Sequence, residues 1–298
     1  MPLKKLADKE ELGNPVTHFF KSGNVLRSRD NEPLKKLKEA LPKHSFNNTK
    51  IEYDVWYSFN DDKIHGYVYT DVLTQFLYLR AASVKKSLLA MEKAASEKIT
   101  EEGERLFEEI ANNSGDKYRL RKGSNAYDFV IFLPGTNILN KVVNWKKIEN
   151  AISQGAKLKC HPLTAPPAYE HLVGKYGDAI IQKKMSGHEL LNSAHIVGTY
   201  DNSEMGIAAL AKGKSVYRFG NNEWSTYSAI YKALMTKDRL DPTKLKAILS
   251  SKTSGLIPVN IDNPEERINK FFNQYKGVEH VAPKDFSDTV QQPKRIDC

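Results

Sequence analysis

The chain has 298 residues, of which 45 are lysine or arginine and 36 are aspartate or glutamate, giving a formal net charge of +9. A hydrophobic fraction of 40% is sufficient for a buried core and excludes a chain that is disordered throughout. There is no run of about 18 or more apolar residues and no apolar signal segment behind the charged start, so we expect a soluble, cytoplasmic protein with both cysteines reduced.

The positive charge is concentrated near the amino terminus. Residues 1–50 contain eleven lysines and arginines but only six aspartates and glutamates. A basic surface attracts phosphate polymers or anionic lipid, although a merely soluble, lysine-rich protein shows the same excess. At this point a nucleic-acid partner, a membrane surface and no such partner are all open.

The first 125 residues predict mainly helices. An amphipathic pattern predicts a helix over 32–41, and alternation of apolar and polar residues predicts a strand over 51–58. A long helix is predicted over 71–93 and a shorter one over 100–111. The polar segment 115–125 is interpreted as a link to the next part of the chain.

Residues 127–219 predict a regular alternation of strands and helices. Strands are expected at 127–133, 156–160, 179–182, 195–199 and 215–219, and helices at 142–153, 167–175, 187–193 and 203–212. Such alternation with short links is typical of a parallel sheet covered by helices on both faces. Further helices are expected near 224–235, 242–250 and 263–275.

Two of the predicted strands are followed by segments suited to a phosphate ligand, because ligands bind at the carboxyl ends of strands in a doubly wound sheet. After the first strand, Gly135 allows close approach of the backbone and Thr136 and Asn137 offer polar side chains, although an ordinary turn has the same composition. After the second, His161 can bind a phosphate oxygen and Pro162 restrains its backbone, although a single histidine is more often structural.

The strand at 195–199 is followed by Asn202 and Ser203, at the start of a predicted helix. Either residue is a good N-cap, and the same geometry lets helix amides and a hydroxyl bind a phosphate, so the two roles are compatible. Glu204 is expected to accept hydrogen bonds from a ribose. Positive charge near the phosphates is expected from three basic residues, Lys183, Lys184 and Arg218.

The His161-Pro162 pair and the segment from Ser203 to Val216 resemble the carboxyl-terminal half of two-domain glycosyltransferases. This segment reads SEMGIAALAKGKSV, a serine at the helix start followed by Gly-x-x-Ala-Leu-x-x-Gly-Lys-x-Val. The sequence is most similar to bacterial capsule Kdo transferases and, more distantly, to polysialyltransferases and teichoic-acid polymerases. The resemblance covers about residues 127–220, and no family signature is recognised in residues 1–125.

The resemblance implies an α/β protein of the GT-B type, with two Rossmann-like domains facing a cleft and a parallel sheet of five or more strands in the second. It implies that His161 and Ser203 contact the phosphate of a nucleotide-sugar donor, which we expect to be UDP- or CMP-linked. We accordingly expect an acceptor-binding domain at 1–125, a donor-binding domain at 126–262, and a helix with a loose tail at 263–298.

Sugar transfer requires a base for the acceptor hydroxyl and stabilisation of the leaving nucleotide. In folds of this type the base usually comes from the first domain, where Asp61 and Asp62 follow the strand at 51–58. A solvated turn is the alternative interpretation of this pair, and Asp54 and Asp71 are weaker candidates. No Asp-x-Asp motif indicates a divalent metal, so we expect the protein alone to bind the donor, without a cofactor.

We therefore expect a glycosyltransferase, and the basic, aromatic-containing start of the chain favours double-stranded DNA as the acceptor, through an unstacked hydroxymethylated base. In overall plan this resembles the phage enzymes that glycosylate hydroxymethylated bases in DNA. Two alternatives stay open. One is a capsule or cell-surface glycan transferase in peripheral contact with the inner membrane face, and the other is a non-catalytic nucleic-acid-binding protein.

Overall fold

The computed structural model describes residues 45–50, 55–61, 64–71, 76–81, 84–112, 126–162, 164–201, 203–220, 228–258 and 264–274. Before residue 82 it describes the backbone together with the side chain of Tyr78. Within these ranges the strands form one antiparallel sheet and one mostly parallel sheet. No helix in the same ranges combines the length and the apolar character needed to cross a bilayer.

The antiparallel sheet begins with four consecutive strands, β1 (Ser45–Lys50), β2 (Val55–Asp61), β3 (Ile64–Asp71) and β4 (Phe76–Ala81). Each pairs with the next, and a short strand from far along the chain, Leu256–Pro258, completes the sheet beside β4. Aromatic and β-branched residues are frequent in β2 and β3, which favours extended backbone.

Two expectations for this part of the chain need correction. The helix predicted over 71–93 is wrong in its first half, where β4 is extended, and only α1 (Val84–Ala94) is helical. The pairing of β4 on both sides overrides the helical spacing of its apolar residues. The described strands before residue 82 are antiparallel, whereas a Rossmann-like domain needs parallel strands joined by helices, so they do not form the first domain that was expected.

The mostly parallel sheet confirms the α/β class. Its parallel strands are β5 (Phe129–Phe132), β6 (Lys157–Lys159), β7 (Ile180–Ile181), β8 (Ile196–Thr199) and β9 (Ser215–Arg218). A hairpin of β10 (Met235–Thr236) and β11 (Arg239–Leu240) extends the sheet beyond β9 with antiparallel pairing.

The spatial order of this sheet is β10-β11-β9-β8-β5-β6-β7. Counted from β5 onward, the five parallel strands therefore stand in the order 3-2-1-4-5. This is the doubly wound order, in which the chain leaves β5 first toward one edge of the sheet and later toward the other. Ligands in such sheets bind at the carboxyl ends beside this reversal, which lies between β5 and β8.

The predicted helices of this region are present with small shifts of their ends. The connections are α2 (Glu101–Asn112) before β5, α3 (Thr136–Val142) and α4 (Trp145–Ser153) before β6, α5 (Pro166–Tyr176) before β7, α6 (Gly187–Ser193) before β8, and α7 (Glu204–Ala211) before β9. The single helix expected over 142–153 is wrong at its start, because Asn144 caps α4 by accepting a 3.1 Å hydrogen bond from the Lys147 amide. Residues 136–142, which include the segment expected to be a turn, form α3.

Helices cover both faces of the sheet. Along β5, Val130 and Phe132 face one hydrophobic core, while Ile131 and the following Leu133 face the other. The first core also contains apolar residues of α1, α2, α6, α7, α8 (Ser228–Leu234) and α9 (Pro242–Ser250), and the second contains residues of α3, α4 and α5.

The carboxyl-terminal elements connect α2 to the edge strand of the antiparallel sheet. These elements are β12, the strand Leu256–Pro258 that pairs with β4, and α10 (Pro264–Asn273). The guanidinium of Arg267, which is buried, donates to the carbonyl oxygens of Ser251 and Leu256 at 2.8 and 3.2 Å and to Glu102 Oε2 at 3.1 Å. Apolar residues of α1 and α2 also belong to the first core of the parallel sheet. The domain boundary near residue 125 stays a prediction.

Candidate functional site

Three loops from the predicted site leave the carboxyl edge of the parallel sheet next to one another. They follow β5, β6 and β8, and β5 lies between the other two. Because neighbouring strands are about 4.8 Å apart, the ends of β6 and β8 lie about 10 Å apart at this edge. The fold therefore brings the His161 and Ser203 segments to the same edge, on either side of the Gly135 segment.

The loop after β5 is joined to the loop after β6 by one hydrogen bond. Gly135 is the N-cap of α3. Its φ of −64° is accessible to any residue, so this position does not require the backbone freedom of glycine. Thr136 opens the helix, and its hydroxyl accepts a 2.8 Å hydrogen bond from the amide of Ala165. Asn137 lies in α3, but its side chain is outside the described part of the structure.

The loop after β6, of which the structure describes residues 160–162, 164 and 165, holds a half-buried His161 followed by a half-buried Pro162. A turn forms where the Thr164 amide donates to the His161 carbonyl at 2.9 Å. The side chain of Cys160 is buried below it, and burial raises the pKa of its thiol to about 11 against the opposing effect of two nearby ammonium groups. This thiol is therefore protonated at neutral pH.

Two lysines fasten the loop after β6 through carbonyl oxygens. Lys159, which is 3% exposed, donates 3.0 Å hydrogen bonds from Nζ to the carbonyls of Cys160 and Lys183. Lys183 Nζ in turn donates to the Thr164 carbonyl at 2.6 Å and lies 5.9 Å from the centre of the Tyr169 ring. Lys184, the other lysine expected here, is exposed. Two lysine ammonium groups therefore contact the loops around His161.

The loop after β8 is shaped by helix capping. Ser203 is the N-cap of α7, and its Oγ accepts a 3.2 Å hydrogen bond from the Met205 amide. The hydroxyl of Tyr231, on α8, donates to the Ser203 carbonyl at 2.6 Å. A capping hydroxyl that accepts from an amide keeps its own proton for another acceptor, so the cap does not exclude contact with a phosphate. Asn202 lies outside the described residues.

A buried ion pair lies under this loop. Asp201 is fully buried, and Arg218, at the end of β9, contacts both of its carboxylate oxygens, through Nε at 2.6 Å and through a terminal nitrogen at 2.5 Å. Arg218 was expected to contribute positive charge to a donor, but its guanidinium neutralises Asp201 in this bidentate pair. Its role as a donor ligand stays a prediction.

Glu204 is also buried, at the first position of α7. Burial raises the pKa of the Tyr231 hydroxyl above its usual range, and the charges of Asp201 and Glu204 raise it further. A carboxylate near the helix start interacts favourably with the helix dipole. Glu204 is thus a buried carboxylate at a helix start, and its contact with a ribose stays a prediction.

The candidate base residues are only partly described. Asp61 is the last residue of β2, where it pairs with Ile64 across the hairpin to β3. Its side chain, Asp62 and Asp54 lie outside the described part of the structure, and Asp71 is the last residue of β3. In the described ranges no group of three or more His, Cys, Asp and Glu residues is arranged to hold a metal ion.

Several residues at this edge were not among the predicted site residues. Asp201 stands between a predicted strand and a predicted N-cap, which was a usable signal for a buried acceptor. Tyr231 carried no local signal, because it reaches the loop from a helix 28 residues further along the chain. Lys159 reads as an ordinary strand residue, and Thr164 as part of a polar loop.

No family model matches this sequence, and no curated protein matches it.

Proposed function

We propose that the chain is a glycosyltransferase that uses a nucleotide-sugar, UDP- or CMP-linked, and binds its phosphates at the carboxyl edge of the parallel sheet. The observation that supports this most is the doubly wound strand order, because the Gly135 and Ser203 loops flank the point where the chain reverses direction and the His161 loop is next to the Gly135 loop. The glycosyltransferase-like motifs contain two of these three loops.

In this proposal the residues of the edge stabilise the leaving nucleotide. The His161 imidazole and the Ser203 hydroxyl donate to phosphate oxygens, and the lysines beside His161 add positive potential where charge develops in the transition state. Asp61 or Asp62 takes the proton of the acceptor hydroxyl, and residues 1–125 supply the acceptor site. The donor-binding half of a GT-B transferase is thus proposed for the parallel sheet alone.

We propose double-stranded DNA carrying hydroxymethylated bases as the acceptor. The support is the net charge of +9, more than half of which comes from residues 1–50, together with the similarity in plan to phage DNA-base glycosyltransferases. A hydroxymethyl group on a base provides the alcohol that a sugar transfer needs.

The test is a transfer assay on the full chain with a panel of UDP- and CMP-sugars and a duplex that contains 5-hydroxymethylcytosine. We expect release of free nucleotide and a gain of one sugar mass per modified base, with no gain on an unmodified duplex. His161→Ala should abolish release, whereas His171→Ala, which changes an exposed histidine on α5, should retain it. Duplex binding without nucleotide release from any donor would instead support the non-catalytic alternative.

The motif resemblance to capsule Kdo transferases supports a second candidate, a capsule or surface-glycan transferase. The same assay with a lipid-linked oligosaccharide in anionic vesicles separates the two. Transfer to the glycan but not to the modified duplex would replace DNA as the acceptor and leave the donor proposal intact.

A further inference from the structure

The loop after β6 differs from usual phosphate sites in having few backbone donors. Helix α5 begins with Pro166 and Pro167, which have no amide hydrogen. The Ala165 amide donates to Thr136 Oγ1, and the Thr164 amide donates to the His161 carbonyl. The first two positions of the helix therefore lack the amides through which helices ordinarily bind anions, so an anion here would depend largely on side chains.

The side chains that replace those amides are lysines. The ammonium of Lys183 bonds to the Thr164 carbonyl, and within the described ranges Lys183 forms no ion pair with a carboxylate. The ammonium of Lys159 donates to the backbone carbonyl of Lys183, so it lies beside the same segment of the chain. Burial lowers the pKa of Lys183, so the protein holds this charge at some cost. A bound anion would offset that cost.

A buried hydroxyl accompanies the two ammonium groups. Thr164 is 1% exposed, and its Oγ1 has no hydrogen-bond partner among the described residues. Buried hydroxyls are almost always hydrogen-bonded, and an unsatisfied one calls for an explanation. The turn closed by the Thr164 amide and the His161 carbonyl also carries the half-buried His161. The Thr164 hydroxyl is thus a neutral donor in a turn that the Lys183 ammonium contacts, and this combination suits the oxygens of a phosphate.

We propose that Lys183, supported by Lys159 and Thr164, forms a phosphate subsite beside His161 that is separate from the Ser203 loop. The subsite takes a phosphate of the nucleotide, and this assignment as a donor subsite rests on the proposed function. The ammonium of a lysine is a single point charge, so it fits a compact phosphate without requiring the bidentate geometry that arginine provides. Lys184 provides a matched control position, because it is the next residue, carries the same charge and is exposed.

The first experiment is calorimetric titration of the full chain with uridine, UMP, UDP and inorganic pyrophosphate. Lys183→Met should weaken binding of UDP and pyrophosphate at least tenfold and leave any binding of uridine unchanged. Lys184→Met should stay within twofold of the unaltered protein, and Lys183→Arg should recover part of the affinity. Equal losses in Lys183→Met and Lys184→Met would overturn the subsite, because they would show a diffuse effect of net charge.

The second experiment needs no variant and therefore does not depend on how Lys183→Met folds. Reductive methylation of the unaltered protein is followed residue by residue by mass spectrometry, with and without UDP or pyrophosphate. We expect at least fivefold slower modification of Lys183 in the presence of either anion and no change at Lys184. A rate of Lys183 methylation that neither anion changes would overturn the proposal.

The outcomes separate this subsite from the proposed function. Protection of Lys183 by pyrophosphate in a protein that transfers no sugar would retain the subsite and reject the transferase. Sugar transfer that is unaffected by Lys183→Met would retain the transferase and reject the subsite.

Discussion

The ends of β6 and β8 flank the end of β5 at the same edge of the sheet, but their charged groups and helix starts are arranged differently. At β8 the charges are paired within the protein, since Arg218 neutralises the buried Asp201, and the helix start is capped by Ser203. At β6 the helix start has prolines at its first two positions, and the ammonium groups of Lys159 and Lys183 donate to backbone carbonyls. The β8 end is thus stabilised by contacts within the protein, whereas the β6 end carries positive charge that suits an anionic ligand.

The largest expected effect is on the β8 side, from breaking the Asp201–Arg218 pair. Arg218→Met leaves a fully buried carboxylate without this cation, and we expect a loss of roughly 3–5 kcal/mol in the free energy of unfolding, measured with urea. Arg239→Met is the control, because Arg239 is exposed and contacts only the Tyr217 ring at 5.9 Å among the interactions described. If both variants were equally stable and Arg218→Met lost UDP binding, Arg218 would be a donor ligand instead.

The next effect comes from the close approach of Tyr231 to α7. A Cβ at Gly206 would lie 2.0 Å from the Tyr231 hydroxyl and 2.7 Å from Thr199 Cγ2, so Gly206→Ala should lower stability by about 1–3 kcal/mol. Tyr231→Phe removes the hydroxyl that the new methyl would meet. The double variant should therefore lose less than the sum of the two single losses.

A helical glycine with open space provides the control for this cycle. Gly174 in α5 has nothing within 4 Å of a built Cβ, so Gly174→Ala should raise stability by about 0.5–1 kcal/mol. Strict additivity of Gly206→Ala and Tyr231→Phe in thermal unfolding would mean that the two residues do not meet as described.

Ser203 can be tested for capping and for phosphate contact separately. Ser203→Ala should lower stability by about 1 kcal/mol through loss of the N-cap. Ser203→Asp should recover most of that loss, because aspartate caps helices as well as serine, but its charge should repel a phosphate. We expect UDP affinity to fall at least tenfold in Ser203→Asp. Unaltered affinity would make the serine a cap and nothing more.

The smallest effect concerns the thiol at the β6 end. With its pKa raised from 9.0 to about 11, Cys160 should form about a hundredfold less thiolate at pH 8 than an ordinary cysteine. In a Cys298→Ser protein, alkylation by iodoacetamide should be correspondingly slow and should accelerate as the pH approaches 11. Fast alkylation at pH 8 in the folded protein would contradict the burial of this thiol.

The same shift has a defined sign for stability. An acid whose pKa is raised on folding contributes stability that is present below its unfolded pKa and lost as the pH rises through its folded pKa. The contribution of Cys160 should therefore be fully present below about pH 9, be lost as the pH rises to about 11, and stay lost above that. Lys183→Met should move its pKa higher still, because the Lys183 ammonium lowers it.

The alternation of elements after residue 127 was predictable from sequence because each strand and helix there is local. Gly155, Gly177 and Gly213 follow three of the helices and adopt positive φ, as helix-ending glycines do, so the helix ends were readable. The positions of His161 and Ser203 after strand ends followed directly from that pattern, and the strand order brings their loops to the same edge of the sheet, on either side of the loop after β5.

The other features depend on distant contacts that local patterns do not encode. The extended β4 requires pairing with Leu256–Pro258, about 180 residues later, so the apolar spacing of its residues was misread as helical. The Arg218–Asp201 pair was not predicted because a basic residue at a strand end gives no sign of a buried carboxylate in the loop after the neighbouring strand. Tyr231 belongs to the same class.

The central claim is that the loops after β6 and β8 hold one nucleotide, and calorimetric titration of the full chain with UDP and with CMP tests it most directly. The account predicts one binding site per chain, at least tenfold weaker binding in both His161→Ala and Ser203→Asp, and binding within twofold of the unaltered protein in His171→Ala. Nucleotide affinity that is the same in all four proteins, or no binding of either nucleotide, would contradict it.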